Sequence, residues 1–377
     1  MSSKKSWKQI HWVNSLFLIS TFLVTCTAVP AYIWYYGLSL FQFSLFFFFF
    51  VATGFSITLG YHRLFSHRTF QARLPVRLFT LLFGAAAFEG SALGWSADHR
   101  RHHKHVDHDE DPYDINKGFF HAHIGWLLFR HSPDTPLTWV RDLQKDRLAV
   151  WQHDHYVPIA ILMGFGLPPL IGYAVGGAVG ALGAFLIAGV ARIVFVHHMT
   201  FFINSLCHWI GSRPYSINCS ARDSALMAVF TFGEGYHNYH HEFQYDYRNG
   251  IQPWHFDPTK WLIWTLNRLG MASKLRTVPE ETIIKARIRT SQKSLEKKLS
   301  TVEQPLPEYL TKAIQSTQDT MNAALAVWEE RLEAYRQAIA KRSETTAAYR
   351  RELKKHMKEA TETLRDSIQE WLRTHTL

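Results

Sequence analysis

Residues 44–67 read SLFFFFFVATGFSITLGYHRLFSH, and the fold turns on how that run ends. Its first part belongs to a stretch from Leu38 to Leu59 without Asp, Glu, Lys or Arg, close to the roughly 20 residues that a bilayer crossing requires. Its last part sets His62 and His67 directly on the end of that apolar segment. A span that runs into imidazoles puts polar ligands at a membrane face, where a helical cap can gather them.

Working outward, Trp12–Tyr36 is also free of those charges, as are Tyr156–Tyr173 and Gly176–Ala191, the last two joined by the small-residue run GYAVGGAVG. The spacing predicts four spans, at about 12–36, 38–59, 156–173 and 176–196, arranged as two hairpins. The expected fold is an all-α membrane protein with four transmembrane helices capped by a cytoplasmic helical domain that carries a histidine-rich dimetal site. The first span is too long for a signal-peptide core and no small-residue cleavage site follows it, so it is expected to stay. Lys4, Lys5 and Lys8 precede it, and Arg63, Arg68, Arg73 and Arg77 follow the second span, which places both ends of that hairpin, both termini and the histidines in the cytoplasm. The 377 residues are 47% hydrophobic with a formal charge of +10, a surplus that suits membrane lipids and phosphorylated carriers; no nucleic-acid partner is expected. Cys26, Cys207 and Cys219 form no CxxC pair, which argues against a disulfide framework or a thiolate metal site.

The histidines come in three groups. HRRHH (99–103) places His99, His102 and His103 at i, i+3 and i+4, one face of a helix, and EGYHNYHHEF (234–243) repeats the spacing with His237, His240 and His241. His62 and His67, five apart, match a helical face less well. An even number of crossings separates the groups, so all three reach one side of the membrane. Imidazoles at this density would repel one another if protonated; a transition metal holds them neutral, and imidazole suits Fe, Zn, Cu and Ni. Eight ligands are too many for one ion and about right for two. Lone histidines such as His11 and His153 read as ordinary surface or hydrogen-bonded residues.

With GYHRLFSHRTFQARLP around the first group, DHRRHHKHVDHDEDPYDINKGFFHAHIGWLLF around the second and GEGYHNYHHEFQYDY around the third, the sequence over residues 10–275 resembles the integral-membrane fatty acyl desaturases, and within them the acyl-CoA delta-9 (stearoyl-CoA) type. The resemblance implies a ninth ligand, His208 in NSLCH, with Asn204 holding a water on one metal. The implied set is His62, His67, His99, His102, His103, Asn204, His208, His237, His240 and His241. It further implies two Fe ions, O2 as co-substrate, a long-chain saturated acyl-CoA, and insertion of a cis double bond. Breaking an unactivated C–H bond is beyond side-chain acids and bases, which fits a redox metal. Trp95 and Thr200 correspond to residues at the bend of an acyl tunnel, and Phe50 and Gly54 to positions at its far end. Gly90 and Ala97 stand where animal relatives carry an Asn and an Arg against CoA, so the headgroup contacts must differ; Arg100, Arg101, Lys104 and Arg192 supply basic charge. Asp98, Asp107 and Glu234 are candidates to accept the outer N–H of a ligand histidine, against the plainer alternative of solvated charge at a helix end.

From residue 278 to 377 the chain is charged and glycine-free, and reads as long helices with an apolar stripe through Ala324, Val327, Trp328, Leu332, Tyr335 and Ala338, broken beforehand by Pro305 and Pro307. This boundary divides the chain into a desaturase domain, 1–277, and a C-terminal helical extension, 278–377, expected at a membrane surface or in self-association. No HPGG haem motif occurs, so the electrons are expected from a separate ferredoxin-type or small haem carrier with its NAD(P)H reductase. Two alternatives stay open: a membrane hydroxylase or alkane oxygenase with the same histidine inventory, or a desaturase acting on lipid- or carrier-protein-linked chains. A metal transporter is disfavoured because its ligands would lie within the spans.

Overall fold

The computed structural model describes residues 10–130, 134–301, 306–341 and 345–374. Lys4, Lys5, Lys8 and Pro305 lie outside the described residues. The chain forms two compact units, Met1–Ile283 and Ile284–Leu377.

Among the described residues of the first unit, three helices are long and apolar enough to cross a membrane: α1 (Trp12–Tyr36), α2 (Leu40–Ser66) and, later, α5 (Tyr156–Trp209). Between them lie α3 (Leu74–Ala85) and α4 (Ala92–His105). Helix α2 starts on a capping box: Ser39 Oγ accepts from the Gln42 N–H at 3.2 Å, and the Gln42 side chain accepts from the Ser39 N–H at 3.1 Å. Gln42 also donates to Tyr32 Oη (2.5 Å), and Tyr32 donates to the Val179 carbonyl (3.0 Å), so the polar atoms buried between α1, α2 and α5 are satisfied. Past Phe55, helix α2 does not stop near Leu59 as its charge-free length predicts; it continues as π-helix from Ser56 to Ser66 and carries His62 with it.

The two later spans expected from sequence lie in one 54-residue helical stretch. Its backbone leaves helical geometry at Gly176 (φ −136°) and Gly177 (φ 60°), the second a conformation that glycine alone adopts at little cost. The halves then face one another: a Cβ on Gly172 would lie 2.4 Å from the Gly180 carbonyl oxygen and 2.5 Å from Ala184 Cβ. Arg192 sits on the returning half, fully buried, donating to the carbonyls of Ala86 (2.6 Å) and Ala188 (3.1 Å). It ties α5 to the end of α3 and does not contribute to a basic surface, contrary to the sequence expectation. A guanidinium with five donors can satisfy helix-end carbonyls from within a bundle, which charge counting along the sequence cannot foresee.

In the second unit the stripe finds a protein partner. Trp328 and Trp371 are fully buried in a core with Ile288, Met321, Leu364 and Ile368, contributed by Glu280–Leu299, Glu308–Ala340 and Ala347–Thr374. The indole N–H groups donate to Thr361 and Ser291, both at 2.9 Å. Val327, counted in the stripe, is 48% exposed and lies off it. Pro307 caps the middle helix.

The back-to-back packing at Gly172 has no slack, because the opposing atoms are the Gly180 main chain and the Ala184 methyl, neither of which can swing away. Gly172→Leu is expected to destabilise the protein by about 2–3 kcal/mol, seen as a lower thermal midpoint in detergent, whereas Val175→Leu at the outward-facing neighbour leaves it unchanged. Equal midpoints for both variants would show that the two halves of α5 do not pack at this glycine.

Candidate metal centre

The nine histidines expected from sequence and resemblance come together in two groups. His62, His67, His99, His103 and His240 form one, and His102, His208, His237 and His241 the other; within each, one nitrogen per ring lies within 4.8 Å of all the others. Helix α4 splits its histidines, giving His99 and His103 to one group and His102 to the other. Residues His237–Glu242 form a single helical segment that does the same with His240 against His237 and His241. His62 and His67 reach one point because the π-turn closes between them: the His67 N–H donates to the His62 carbonyl, an i→i+5 bond of 3.0 Å. His208 ends α5.

The converging atoms are Nε2. His62–His240 are 3.0 Å apart, His67–His99 2.8 Å, His99–His103 3.1 Å and His103–His240 3.0 Å; in the second group His208–His237 and His237–His241 are each 3.0 Å and His102–His241 3.3 Å. For a metal–nitrogen bond of about 2.1 Å, ligands at right angles lie about 3.0 Å apart and tetrahedral ones about 3.4 Å, so these separations fit a right-angled set better than structural zinc. Outer-nitrogen partners set the tautomers of His102 and His208, and a carboxylate lies close to that of His62. His102 Nδ1 lies 2.8 Å from Asp111 Oδ1, and His62 Nδ1 lies 2.9 Å from Glu234 Oε2. Ser220 donates its hydroxyl to Asp107, so its oxygen accepts from His208 Nδ1–H at 2.7 Å. With protons on Nδ1, lone pairs on Nε2 meet at about 3 Å, an arrangement that is repulsive until a cation lies among them. Burial, then the neighbouring imidazoles, hold His67, His99, His103, His237, His240 and His241 well below the ordinary imidazole range, in the form that binds metal.

Of the three acids proposed as acceptors, Glu234 faces His62 directly and Asp107 acts through Ser220. Asp98 instead bonds Thr135 and lines the adjacent cavity. Asp111 was missed: it lies nine residues beyond His102, and a bend in the chain returns it. His105, His108 and His121 belong to neither group among the described residues.

A cavity of about 390 Å³ opens against His62, His99 and His237, with Asn204 in its wall. Apolar Phe17, Leu18, Ile57, Phe88 and Phe201 line its interior, and polar residues including Asn14, Arg101, Arg130 and Thr135 also border it. Trp95 and Thr200 are both there, and they meet on one residue that sequence reading passed over: Trp95 Nε1–H donates to Glu89 Oε2 at 3.2 Å and Thr200 Oγ–H to Oε1 at 2.8 Å. Trp95 stacks on His99 with centroids 4.7 Å apart. Phe50 and Gly54 do not border this cavity. Phe50 packs on Phe232, and a Cβ on Gly54 would meet the same ring at 2.4 Å; Ile57 and Thr58, one turn onward, line the cavity instead.

Residues 39–265 match the family model for fatty acid desaturases. The chain belongs to the fatty acid desaturase family. It is 39% identical over 303 residues to a probable acyl-CoA desaturase of Schizosaccharomyces pombe, covering 77% of this chain and 60% of that protein. It is 39% identical over 306 residues to acyl-CoA desaturase 1 of Saccharomyces cerevisiae, covering 78% and 59%, and 35% identical over 290 residues to human stearoyl-CoA desaturase, covering 75% and 77%. The matched region thus spans about 60% of the length of the two yeast relatives. Both histidine groups fall within the family-matched residues.

Two expectations follow. Asp111→Ala frees the His102 ring, and metal affinity of the four-histidine group should fall about 10–100-fold by titration of the apoprotein, while Glu110→Ala, at an exposed neighbour, leaves it unchanged. Burial pushes the Glu89 carboxyl up from 4.5 to about 7, its two hydrogen bonds pulling the other way. The native state therefore holds that proton more tightly than the unfolded chain, and stability is lost as pH rises through the window from about 4.5 to about 7. Glu89→Gln removes that loss, so its thermal midpoint should gain on wild type between about pH 5 and pH 8, toward a limit of about 3 kcal/mol. A pH-independent difference would show that the carboxyl titrates normally.

Proposed function

We propose that this chain is an integral-membrane acyl-CoA desaturase that introduces a cis double bond, at the delta-9 position, into a long saturated acyl chain. The observation that carries this reading is the opening of a mainly apolar cavity directly onto two convergent histidine groups, in a chain of this family. The overall change is –CH2–CH2– + O2 + 2 e⁻ + 2 H⁺ → –CH=CH– + 2 H2O. Two iron ions held by the nine histidines, with Asn204 holding a water, would supply the O2-derived oxidising power.

The chain's own residues bind, orient and exclude water. Phe17, Leu18, Ile57 and Phe201 offer an apolar lining that favours an extended hydrocarbon at about 0.8 kcal/mol per buried CH2. Trp95, stacked on His99 and held together with Thr200 on Glu89, sets which carbons lie against the metals. Arg101 and Arg130 supply positive charge for the phosphates of a CoA headgroup, replacing contacts that Gly90 and Ala97 cannot make. Four membrane crossings, with α5 reversing at Gly176–Gly177, would leave both termini and the histidines on the cytoplasmic side, where Arg68, Arg73 and Arg77 follow α2. Electrons come from an external ferredoxin-type or small haem carrier with its NAD(P)H reductase. The C-terminal unit is a helical extension outside this chemistry.

Expression in an unsaturated-fatty-acid auxotroph, with the double bond mapped in the products, tests substrate and position together; a mid-chain alcohol instead of an alkene would favour a hydroxylase. Ala at His99, His103, His237 or His241 is expected to abolish the product and lower iron content with the protein still membrane-inserted, whereas Ala at His105 or His108 retains at least partial activity. Full activity in two of the first four would remove the site.

A further inference from the structure

Residues 224–233, SALMAVFTFG, lead directly into the third histidine group and carry no charge. Within them, helix Ala225–Phe230 buries Met227 and Ala228 and turns Leu226 (69% exposed), Val229 and Phe230 outward, at the i, i+3 and i+4 positions of one face. Helix Pro258–Arg268 repeats the pattern. Thr259, Lys260 and Ile263 are buried, Trp261 and Trp264 lie outward, and Phe256, just before the helix, is set edge-on to Trp261 with centroids 5.5 Å apart. Lys260 is absorbed on the inner side by the carbonyls of Gly250 (2.6 Å) and Gln252 (3.0 Å), and Arg268 at the helix end lies 5.1 Å from the Trp264 ring centroid. The two helices meet end to end: Thr259 donates its hydroxyl to the Phe232 carbonyl at 2.8 Å, and Gly233 packs directly on Asp257.

Five large apolar side chains on two adjoining helices exceed scattered exposure, and their height against α2 identifies what covers them. Phe232 has φ 54°, a strained conformation for a bulky residue, and from it the ring packs on Phe50 (centroids 5.5 Å) and Phe55 (5.1 Å) and fills the space over Gly54. Gly54 lies five residues before Leu59, where the charge-free length of α2 reaches a full span, so it sits about 7 Å below the membrane surface at 1.5 Å per residue. The residue that follows the outward face by two positions is therefore already inside the lipid. That level matches the depth of about 5–10 Å at which interfacial helices bury their apolar side. Trp rings and an Arg whose stem lies along apolar surface are the side chains suited to that boundary.

We propose, resting on the reading of α2 as a membrane span, that Leu226, Val229, Phe230, Trp261 and Trp264 form a face that lies in the bilayer itself, at the boundary between headgroups and acyl chains on the histidine side. Glu234, four residues beyond Phe230, lies 2.9 Å from His62 Nδ1 at the end of α2. Seating this face in lipid thus holds the third histidine group and the end of α2 at one height.

The test uses the full chain reconstituted in phosphatidylcholine vesicles, with Cys26→Ser and Cys219→Ser and the fully buried Cys207 retained. Leu226→Cys, Val229→Cys and Trp264→Cys are each labelled with nitrobenzoxadiazole, as are Phe47→Cys, at an exposed site midway along α2, and Glu110→Cys, at an exposed site outside the spans. Quenching is measured with aqueous iodide and with phosphatidylcholine spin-labelled on its acyl chain. The three face labels should be quenched by the lipid-borne probe, with iodide quenching at least about fivefold weaker than at Glu110→Cys. Iodide quenching equal to that at Glu110→Cys would place the face in water and overturn the proposal. Shielding from both quenchers would mean that protein covers it, a second copy included, and would overturn the proposal equally. Phe230→Cys replaces any variant whose thermal midpoint in detergent falls. Iodide quenching at Phe47→Cys would overturn the span reading together with the proposal, whereas lipid quenching there leaves the first two outcomes to strike the proposal alone.

Discussion

The Glu234 carboxylate is the point on which the centre hangs. One oxygen lies 2.9 Å from His62 Nδ1 and accepts from Asn249 at 2.6 Å; the other accepts from Arg63 Nε (3.1 Å) and Nη2 (2.9 Å). Arg63 is the residue after His62, so the end of α2 is gripped twice by the segment that begins the third histidine group. Arg63 in turn donates to Asp257 and to the Tyr247 carbonyl, and Asp257 accepts from the backbone N–H groups of Asn249, Gly250 and Lys260. All three ionised side chains are buried, and such a network is stable only when every charge is matched. The carboxyl of Glu234 stays below its ordinary range despite burial, because Arg63 and His62 outweigh the desolvation. Its position turns His62 so that Nε2 points inward, and the other rings converge on that direction.

How much of this was legible in the sequence depends on which period each part obeys. Histidines at i, i+3 and i+4 announce a shared helical face, and HRRHH and HNYHH deliver one each, although the sequence does not say that each triplet divides between two groups. His62 and His67 looked mismatched because five residues of α-helix separate side chains by about 140°. The π-turn removes the mismatch by bonding residue to residue at i+5, and nothing in an apolar run followed by LGYHRLFSH signals that winding. The same extra winding shifts which residues of α2 face the cavity, so that Ile57 and Thr58 do so and Phe50 and Gly54 meet Phe232.

Charged residues were the least legible class, because their partners lie far away in sequence. Asp111 and His102 are joined across a turn, Asp107 reaches His208 through Ser220 across more than a hundred residues, and Arg192 is absorbed by carbonyls of a different helix. Asp107 does so from a positive φ of 64°, and Phe88, next to Glu89, has φ 59°, a strained choice for a bulky side chain. Both strained residues flank groups that position the centre or its cavity, where tertiary contacts override local preference. Apolar length and small-residue runs were readable because lipid imposes them on each segment separately.

An all-imidazole ligand set has a consequence for the metals it would hold. Carboxylate ligands cancel metal charge at once, whereas nine neutral rings cancel none, so balance falls to the acids one bond further out. Glu234 and Asp111 face ring nitrogens and Asp107 acts through a hydroxyl, and Arg63 takes up part of Glu234's charge. The second group therefore has two carboxylates nearby, Asp111 and Asp107, and the first has one that is shared with a cation. Stabilisation of the more oxidised state should accordingly be greater at the four-histidine group than at the five-histidine group, because the less compensated site holds its electrons more tightly. The cavity reaches both groups, through His62 and His99 on one side and His237 on the other, so either would lie within reach of a molecule bound there.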